Sequence, residues 1–194
     1  MTDLQQFTEE VRSFLSEKLT PDLKRAGMLE AGIYADRTVA EAWLKILNEQ
    51  CWAVPTWPVK WGGTGWSAEQ HAIWQQELTL ASAPALPPNG PKMVAPAIMH
   101  YATEEQKQYY LPRIREGEDW WAQGYSEPGA GSDLSSLQCA AVRDGDEYVI
   151  NGTKIWTTHA HFCNRMFCLV RTDSSGAQQH GITFLLFDMD LPGI

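Results

Sequence analysis

Apolar residues recur three and four apart near the start of the chain, so Leu4, Phe7, Val11, Phe14, Leu15 and Leu19 form one stripe of a helix. Thr2 and Gln5 ahead of it make a capping-box pattern, and Pro21 stops it. The same grammar repeats. Thr38 with Glu41 opens a helix that turns Val39, Trp43, Ile46 and Leu47 inward, and Ser67 with Gln70 opens another carrying Ile73, Trp74 and Leu78. Between them residues 51–66, C-W-A-V-P-T-W-P-V-K-W-G-G-T-G-W, read as an extended, aromatic-rich connector. A fourth helix is expected over residues 91–101, with Pro91 in its first turn, Val94, Ile98 and Tyr101 on one side, and Pro96 an awkward interior residue. Thr103 with Gln106 caps a short helix through Tyr110, after which Leu111-Pro112 is expected to end helical pairing.

From Trp120 onward the period changes from helical to alternating. Residues 137–143 and 147–150 read as strands separated by Asp144-Gly145-Asp146, and Asn151-Gly152, flanked by Ile150 and Thr153, is the strongest short hairpin signal in the chain. Residues 154–158, 165–171 and 181–188 continue the strand pattern, with a turn-rich stretch at 172–179. The pattern therefore predicts an α+β protein: a helical domain over residues 1–117, then a β domain over 118–194 that is barrel-like or sandwich-like. The last residues, Leu191-Pro192-Gly193-Ile194, follow an apolar strand directly, which predicts that further polypeptide or another chain covers the sheet edge.

Two stretches carry candidate chemistry. In residues 120–133, W-W-A-Q-G-Y-S-E-P-G-A-G-S-D, a β-type run breaks at Pro128, Gly129, Ala130 and Gly131 into a loop ending at Ser132 and Asp133, where backbone N–H groups can face a phosphate together. The same residues equally suit an ordinary surface turn. In Trp156-Thr157-Thr158, a strand would project the indole and the Thr158 hydroxyl on one face with Thr157 on the other. An indole beside a hydroxyl suits a flavin ring and its polar edge, and it also suits a half-buried strand.

Composition narrows the field. A formal charge of -9 with only 15 Lys and Arg excludes a nucleic-acid partner, which needs a concentrated basic face. No basic segment with an apolar stretch opens the chain and no apolar run is long enough for a membrane span, so the reading is cytoplasmic. Cys51, Cys139, Cys163 and Cys168 lack C-x-x-C spacing and read as reduced structural thiols. His159 and His161 share a face only if extended, and with no third ligand nearby they do not make a metal site. Nine tryptophans are many for 194 residues, and serve equally as core and as stacking surface.

W-A-Q-G-Y-S-E-P-G-A-G-S-D-L, D-G-D-E-Y-V-I-N-G-T-K-I-W-T-T and G-I-T-F-L-L-F-D-M-D-L-P-G-I, in that order, resemble the middle domain of acyl-CoA dehydrogenases, and the likeness extends into the helical region. The resemblance implies an N-terminal helical domain, a β-barrel-like middle domain, and a C-terminal four-helix domain that is absent from this chain. It implies FAD as cofactor, with Gln123, Tyr125 and Ser126 along the flavin pyrimidine side, Ser132 at the cofactor pyrophosphate or the CoA thioester ligand, and Trp156 and Thr158 flanking the ring. Ser126 stands where many members carry Thr, and Thr157 where relatives are often aliphatic.

The implied reaction is α,β-dehydrogenation of an acyl-CoA thioester, with an electron-transferring flavoprotein as electron acceptor and a homo- or hetero-oligomer as assembly. The family's base is a glutamate beyond Ile194, and neither Glu127 nor Asp133 matches it, so no catalytic residue is assigned. The W-x-Q-G-Y-S-E-P-G-A-G-S-D-L form and the R-T-D at 171–173 are similar to bacterial enzymes of the pimeloyl-CoA dehydrogenase large-subunit type, which points to a dicarboxylic, branched or ring-bearing acyl group. The alternatives are an acyl-CoA oxidase, a related flavin monooxygenase, and a non-catalytic subunit of a hetero-oligomer.

Overall fold

Side-chain caps set where most of the helices begin. The computed structural model describes residues 2–30 and 36–194, and the chain divides into two units, Met1–Glu118 and Asp119–Ile194. In the first unit, reciprocal capping boxes at Thr2/Gln5, Ser67/Gln70 and Thr103/Gln106 open α1 (Asp3–Lys18), α4 (Ala68–Ala81) and α6 (Glu104–Glu116); each cap contributes about 1 kcal/mol by engaging otherwise orphaned N–H groups. Thr20 caps α2 (Pro21–Leu29), so Pro21 both ends α1 and occupies the first turn of the next helix, where its missing N–H is no loss. The cap of α3 (Arg37–Glu49) is Asp36, whose carboxylate accepts from the Thr38 and Val39 amides, and not Thr38 as the sequence pattern suggested.

The two prolines at 91 and 96 resolve together. Residues Asn89–Val94 form a π-helical turn that runs into α5 (Ala95–Tyr101), with the Ala95 amide reaching the Gly90 carbonyl five residues back. The wider turn leaves the Pro91 carbonyl for the Trp57 indole N–H at 2.9 Å. Helical pairing does not end at Pro112 either. Burial of Leu111 and Ile114 carries α6 past it to Gly117, which takes the left-handed conformation and closes the helix. The core of this unit is aromatic: Trp52, Trp66 and Trp74 pack edge to face with one another, Phe7 meets Trp66, and Phe14 lies between Trp43, Trp52 and Trp74.

The second unit is a five-stranded mixed sheet. Its strands are β1 (Trp121–Gly124), β2 (Ala140–Asp144), β3 (Glu147–Asn151), β4 (Arg165–Arg171) and β5 (Ile182–Asp188). β5 runs antiparallel along the whole of β4, from Arg165 opposite Asp188 to Arg171 opposite Ile182. β1 pairs parallel with residues 165–168 of β4, and β2 joins it parallel only at Ala140 opposite Arg171. β2 and β3 form a hairpin through Gly145-Asp146, with Gly145 at positive φ.

The barrel-like expectation is realised as a sheet that does not close, because among the described residues β3 pairs only with β2 and is exposed along its length. No hairpin forms at Asn151-Gly152, and residues 154–158 are not a strand. A Cβ at Gly152 would lie 2.6 Å from the Cys139 Cα, so the chain passes hard against the start of β2 and turns away from the ladder. One face of the sheet buries Ala122, Cys139, Ala141, Met166, Cys168 and Val170 as a core; on the other the Trp121 and Tyr125 rings meet Phe167, which packs on Phe184. Among the described residues, no helix is long and apolar enough to cross a membrane.

Candidate cofactor site

Gln123 lies in β1 itself, and the other expected site residues fall on two stretches that leave the sheet beside each other: the exit of β1 at residues 125–133 and the exit of β3 at residues 152–158. Glu127 starts a tight turn by exchanging two backbone bonds with Ala130, at 2.8 and 3.1 Å, with Pro128 and Gly129 at its tip. Beyond Ala130 the chain is exposed through Ser132 and Asp133, after which Ser135 and Ser136 bond back to Asp133. Among the described residues, the amides of Gly129, Gly131 and Ser132 find no protein acceptor. Neither Gly129 nor Gly131 has a positive φ, and a Cβ on either would meet nothing within 4 Å. Nothing among the described residues requires glycine there. The loop thus keeps bare backbone and free N–H groups toward the outside, as a closely approached phosphate or pyrophosphate needs.

Gln123 and Tyr125 come together on the aromatic face. Burial raises the pKa of the Tyr125 hydroxyl, and the neighbouring Gln123 side chain opposes that shift. Ser126 is held through its backbone, its carbonyl accepting from the Ile155 amide at 2.9 Å, which sets it next to the segment carrying Trp156. Trp156 is 86% exposed and sits at φ +57, a left-handed conformation unusual for a bulky residue. The Thr158 amide donates to the Trp156 carbonyl at 3.0 Å, closing a three-residue turn. The turn replaces the alternation expected of a strand, so Trp156 and Thr158 are near each other by curvature and not by sharing a strand face. A fully presented indole beside a half-buried threonine and an open N–H loop fits an isoalloxazine ring with a phosphate tail.

Glu127 and Lys154 were not among the expected site residues, yet they hold the two stretches together. The Lys154 ammonium donates to Glu127 Oε1 at 2.7 Å and to the Tyr125 carbonyl at 3.1 Å. Glu127 also accepts from the amides of Gln138 at 2.6 Å and Cys139 at 2.9 Å. The two side chains are 6% and 9% exposed. Burial by itself would push the Glu127 carboxyl up, but the Lys154 bond, the two amides and the lysine charge together hold it below the usual carboxylate range. The signal in the sequence is a glutamate directly before Pro128-Gly129 and a lysine two residues after Asn151-Gly152, each beside a turn.

Buried thiols flank this pair. Burial pushes the Cys168 thiol up to about 12 and raises that of Cys139, so neither is a nucleophile near neutrality. His159, buried at φ +68, has its pKa lowered by burial and then by His161, and no group of three metal-ligating side chains occurs among the described residues. Arg171 closes the far end of the loop, its guanidinium donating to the carbonyls of Ser135, Leu137 and Gln178.

Residues 1–118 match the acyl-CoA dehydrogenase N-terminal domain and residues 122–194 the acyl-CoA dehydrogenase middle domain. Acyl-CoA dehydrogenase FadE26 of Mycobacterium tuberculosis is 40% identical over 185 residues, covering 94% of this chain and 46% of the relative. Among solved structures, the Tcur3481-Tcur3483 steroid ACAD superposes with a TM-score of 0.83 at 36% identity, covering 98% of this chain and 48% of that one. The ChsE4-ChsE5 complex from Mycobacterium tuberculosis follows with a TM-score of 0.79 at 38% identity, covering 97% and 47%. The chain spans about half the length of the relatives it matches.

Proposed function

The chain belongs to the acyl-CoA dehydrogenase family, and from that premise we propose that the full-length protein carries out FAD-dependent α,β-dehydrogenation of an acyl-CoA thioester, with the two units as its N-terminal and middle domains. The observation that carries the reading is the convergence of an open, N–H-presenting loop with an exposed indole on adjacent exits of one sheet. FAD, when bound, supplies the two-electron acceptor for the β hydrogen.

This chain's own residues bind and orient. The amides of Gly129, Gly131 and Ser132 and the Ser132 hydroxyl would hold the pyrophosphate or the CoA ligand. Gln123, Tyr125 and the Ser126 backbone would hold the pyrimidine side, the Trp156 indole would supply a stacking surface, and the Thr158 hydroxyl would offer a hydrogen bond to the polar edge. None of them removes the α proton. Glu127 is consumed by Lys154 and two amides and held below the usual carboxylate range, which disarms it as a base, and Asp133 accepts from Ser135. In the family reading the base is a glutamate outside these residues.

Two similar structures carry two-protein names, and one of them is a steroid acyl-CoA dehydrogenase by name. That supports a hetero-oligomer acting on a ring-bearing or branched acyl-CoA, with electrons passing to an electron-transferring flavoprotein. The test is to purify the full-length protein with its flavin and add acyl-CoA anaerobically. Bleaching of the oxidised flavin band is expected, with turnover that depends on an electron-transferring flavoprotein. A full-length protein that never takes up FAD overturns the proposal, and stoichiometric peroxide in air would make it an oxidase.

A further inference from the structure

The two candidate binding stretches are joined by few bonds. Among the described residues, three hydrogen bonds connect residues 125–133 to residues 152–158: Ile155 N–H to the Ser126 carbonyl, and the two donated by the Lys154 ammonium. Lys154 and Glu127 thus supply most of the cross-tie, and the Glu127 carboxylate extends it to the start of β2 through the amides of Gln138 and Cys139. Beyond Glu127 the loop's tip has no packing of its own around Gly129 and Gly131. Its position is therefore set by buried Ala130 and by where its two ends are pinned, at Glu127 on the entry side and by Arg171 on the Ser135 carbonyl on the exit side.

A buried ion pair is a poor device for stability, because desolvating two charges cancels most of their attraction and a well-packed apolar pair serves as well or better. What it gives instead is direction. A carboxylate with three fixed donors and an ammonium shared between a carbonyl and that carboxylate allow one relative placement of the three segments, whereas methyl groups would tolerate several. We propose that Glu127 and Lys154 are positioning residues, a buried crosspiece whose task is to hold the loop of residues 128–133 at a fixed distance and angle from Trp156, so that one flavin nucleotide is gripped at its phosphate and ring ends together. This inference rests on the FAD reading above and adds to it two buried residues that act through the segments they join.

The experiment compares E127Q, K154M and the double variant E127Q/K154M in the full-length protein, reading the thermal midpoint of the apo form, the FAD dissociation constant and the fine structure of the bound flavin's absorption band. Each single variant strands one buried charge and lowers the midpoint; the neutral double variant recovers a large part of it. FAD affinity is expected to fall about tenfold or more in all three, the double variant included, and the band to lose the resolution that a rigid site confers, because misplacing one end of a two-ended grip is not repaired by neutral packing. If a single variant fails to fold, the double variant carries the same comparison. Flavin affinity that recovers in step with the midpoint overturns the crosspiece, since the pair would then be only structural, and so does wild-type affinity in the variants. A wild-type protein that takes up no FAD overturns the cofactor reading itself and this inference with it.

Discussion

Trp156 combines two features that have no internal justification. A bulky residue at φ +57 costs on the order of 1–3 kcal/mol, and a side chain that is 86% exposed returns almost none of it through packing. Strain kept without internal compensation points to a task outside the fold. Trp156→Gly removes the strain, so the apo protein is expected to keep or raise its thermal midpoint, by the equivalent of about 1 kcal/mol at most, while FAD affinity falls. Trp156→Phe keeps the strain and part of the ring, and is expected to retain more affinity at no gain in midpoint. A glycine variant that lowers the apo midpoint by several degrees would make Trp156 a packing residue. The residue itself was legible in the sequence from its motif, but its geometry was not. Strand alternation predicted a shared face with Thr158, and the tight passage of Gly152 against Cys139 diverted the chain into a turn instead. Glu127 and Lys154 are not legible as a pair, because a charged residue looks alike in sequence whether it faces water or a buried partner.

At the scale of elements, the loop of residues 128–133 is unusual in what its glycines do not do. Gly63, Gly124 and Gly181 have neighbours that a Cβ would strike, at 1.6, 2.8 and 1.8 Å, so alanine there forces the backbone or its neighbours to shift. Gly129 and Gly131 have open space and ordinary φ. Alanine at either is expected to leave the apo protein unchanged or stabilise it by about 0.4–1 kcal/mol by restricting the unfolded chain. The same substitutions are expected to weaken FAD binding, because the added methyl stands where a phosphate approaches the backbone. Chemical denaturation of the apo form and flavin titration separate the two effects, and unchanged titration with both alanines would remove this loop from the site. Elements whose signals are local were the readable ones: all three capping boxes open helices, and β4 and β5 lie where alternation put them. The π turn and the run of α6 through Pro112 were not readable, since burial of Leu111 and Ile114 and the Trp57 indole decide them from far along the chain.

For the whole molecule, acid stability depends on which buried groups change their proton occupancy on folding. In the helical unit the carboxylates held below their usual range, Glu69 and Glu104, are fully exposed and solvent screens their partners. In the β unit four shifted groups are buried, the thiols of Cys139 and Cys168, which stay protonated on acidification, and Glu127 and His159, which take up protons. His159 has a lowered folded-state pKa, so the unfolded chain takes up its proton first: stability is complete above the ordinary value of 6.5 and declines as pH falls through the folded-state value. Glu127 is also lowered, so its contribution is complete above the ordinary value of 4.5 and is lost as pH falls through the folded-state value. The β unit should therefore weaken in two stages on acidification, the first below about pH 6.5 and the second below about pH 4.5, and should lose amide protection there before the helical unit does. His159→Asn tolerates the left-handed backbone and does not titrate, so it is expected to flatten the first stage only, whatever its effect on stability at neutral pH. Hydrogen exchange followed unit by unit between pH 7 and pH 4 is the measurement. Helical amides that exchange first, or an unchanged first stage in the asparagine variant, would move the acid-labile groups out of the β sheet. Because the same Glu127 proton would also release the crosspiece, flavin loss is expected to accompany the second stage and not the first.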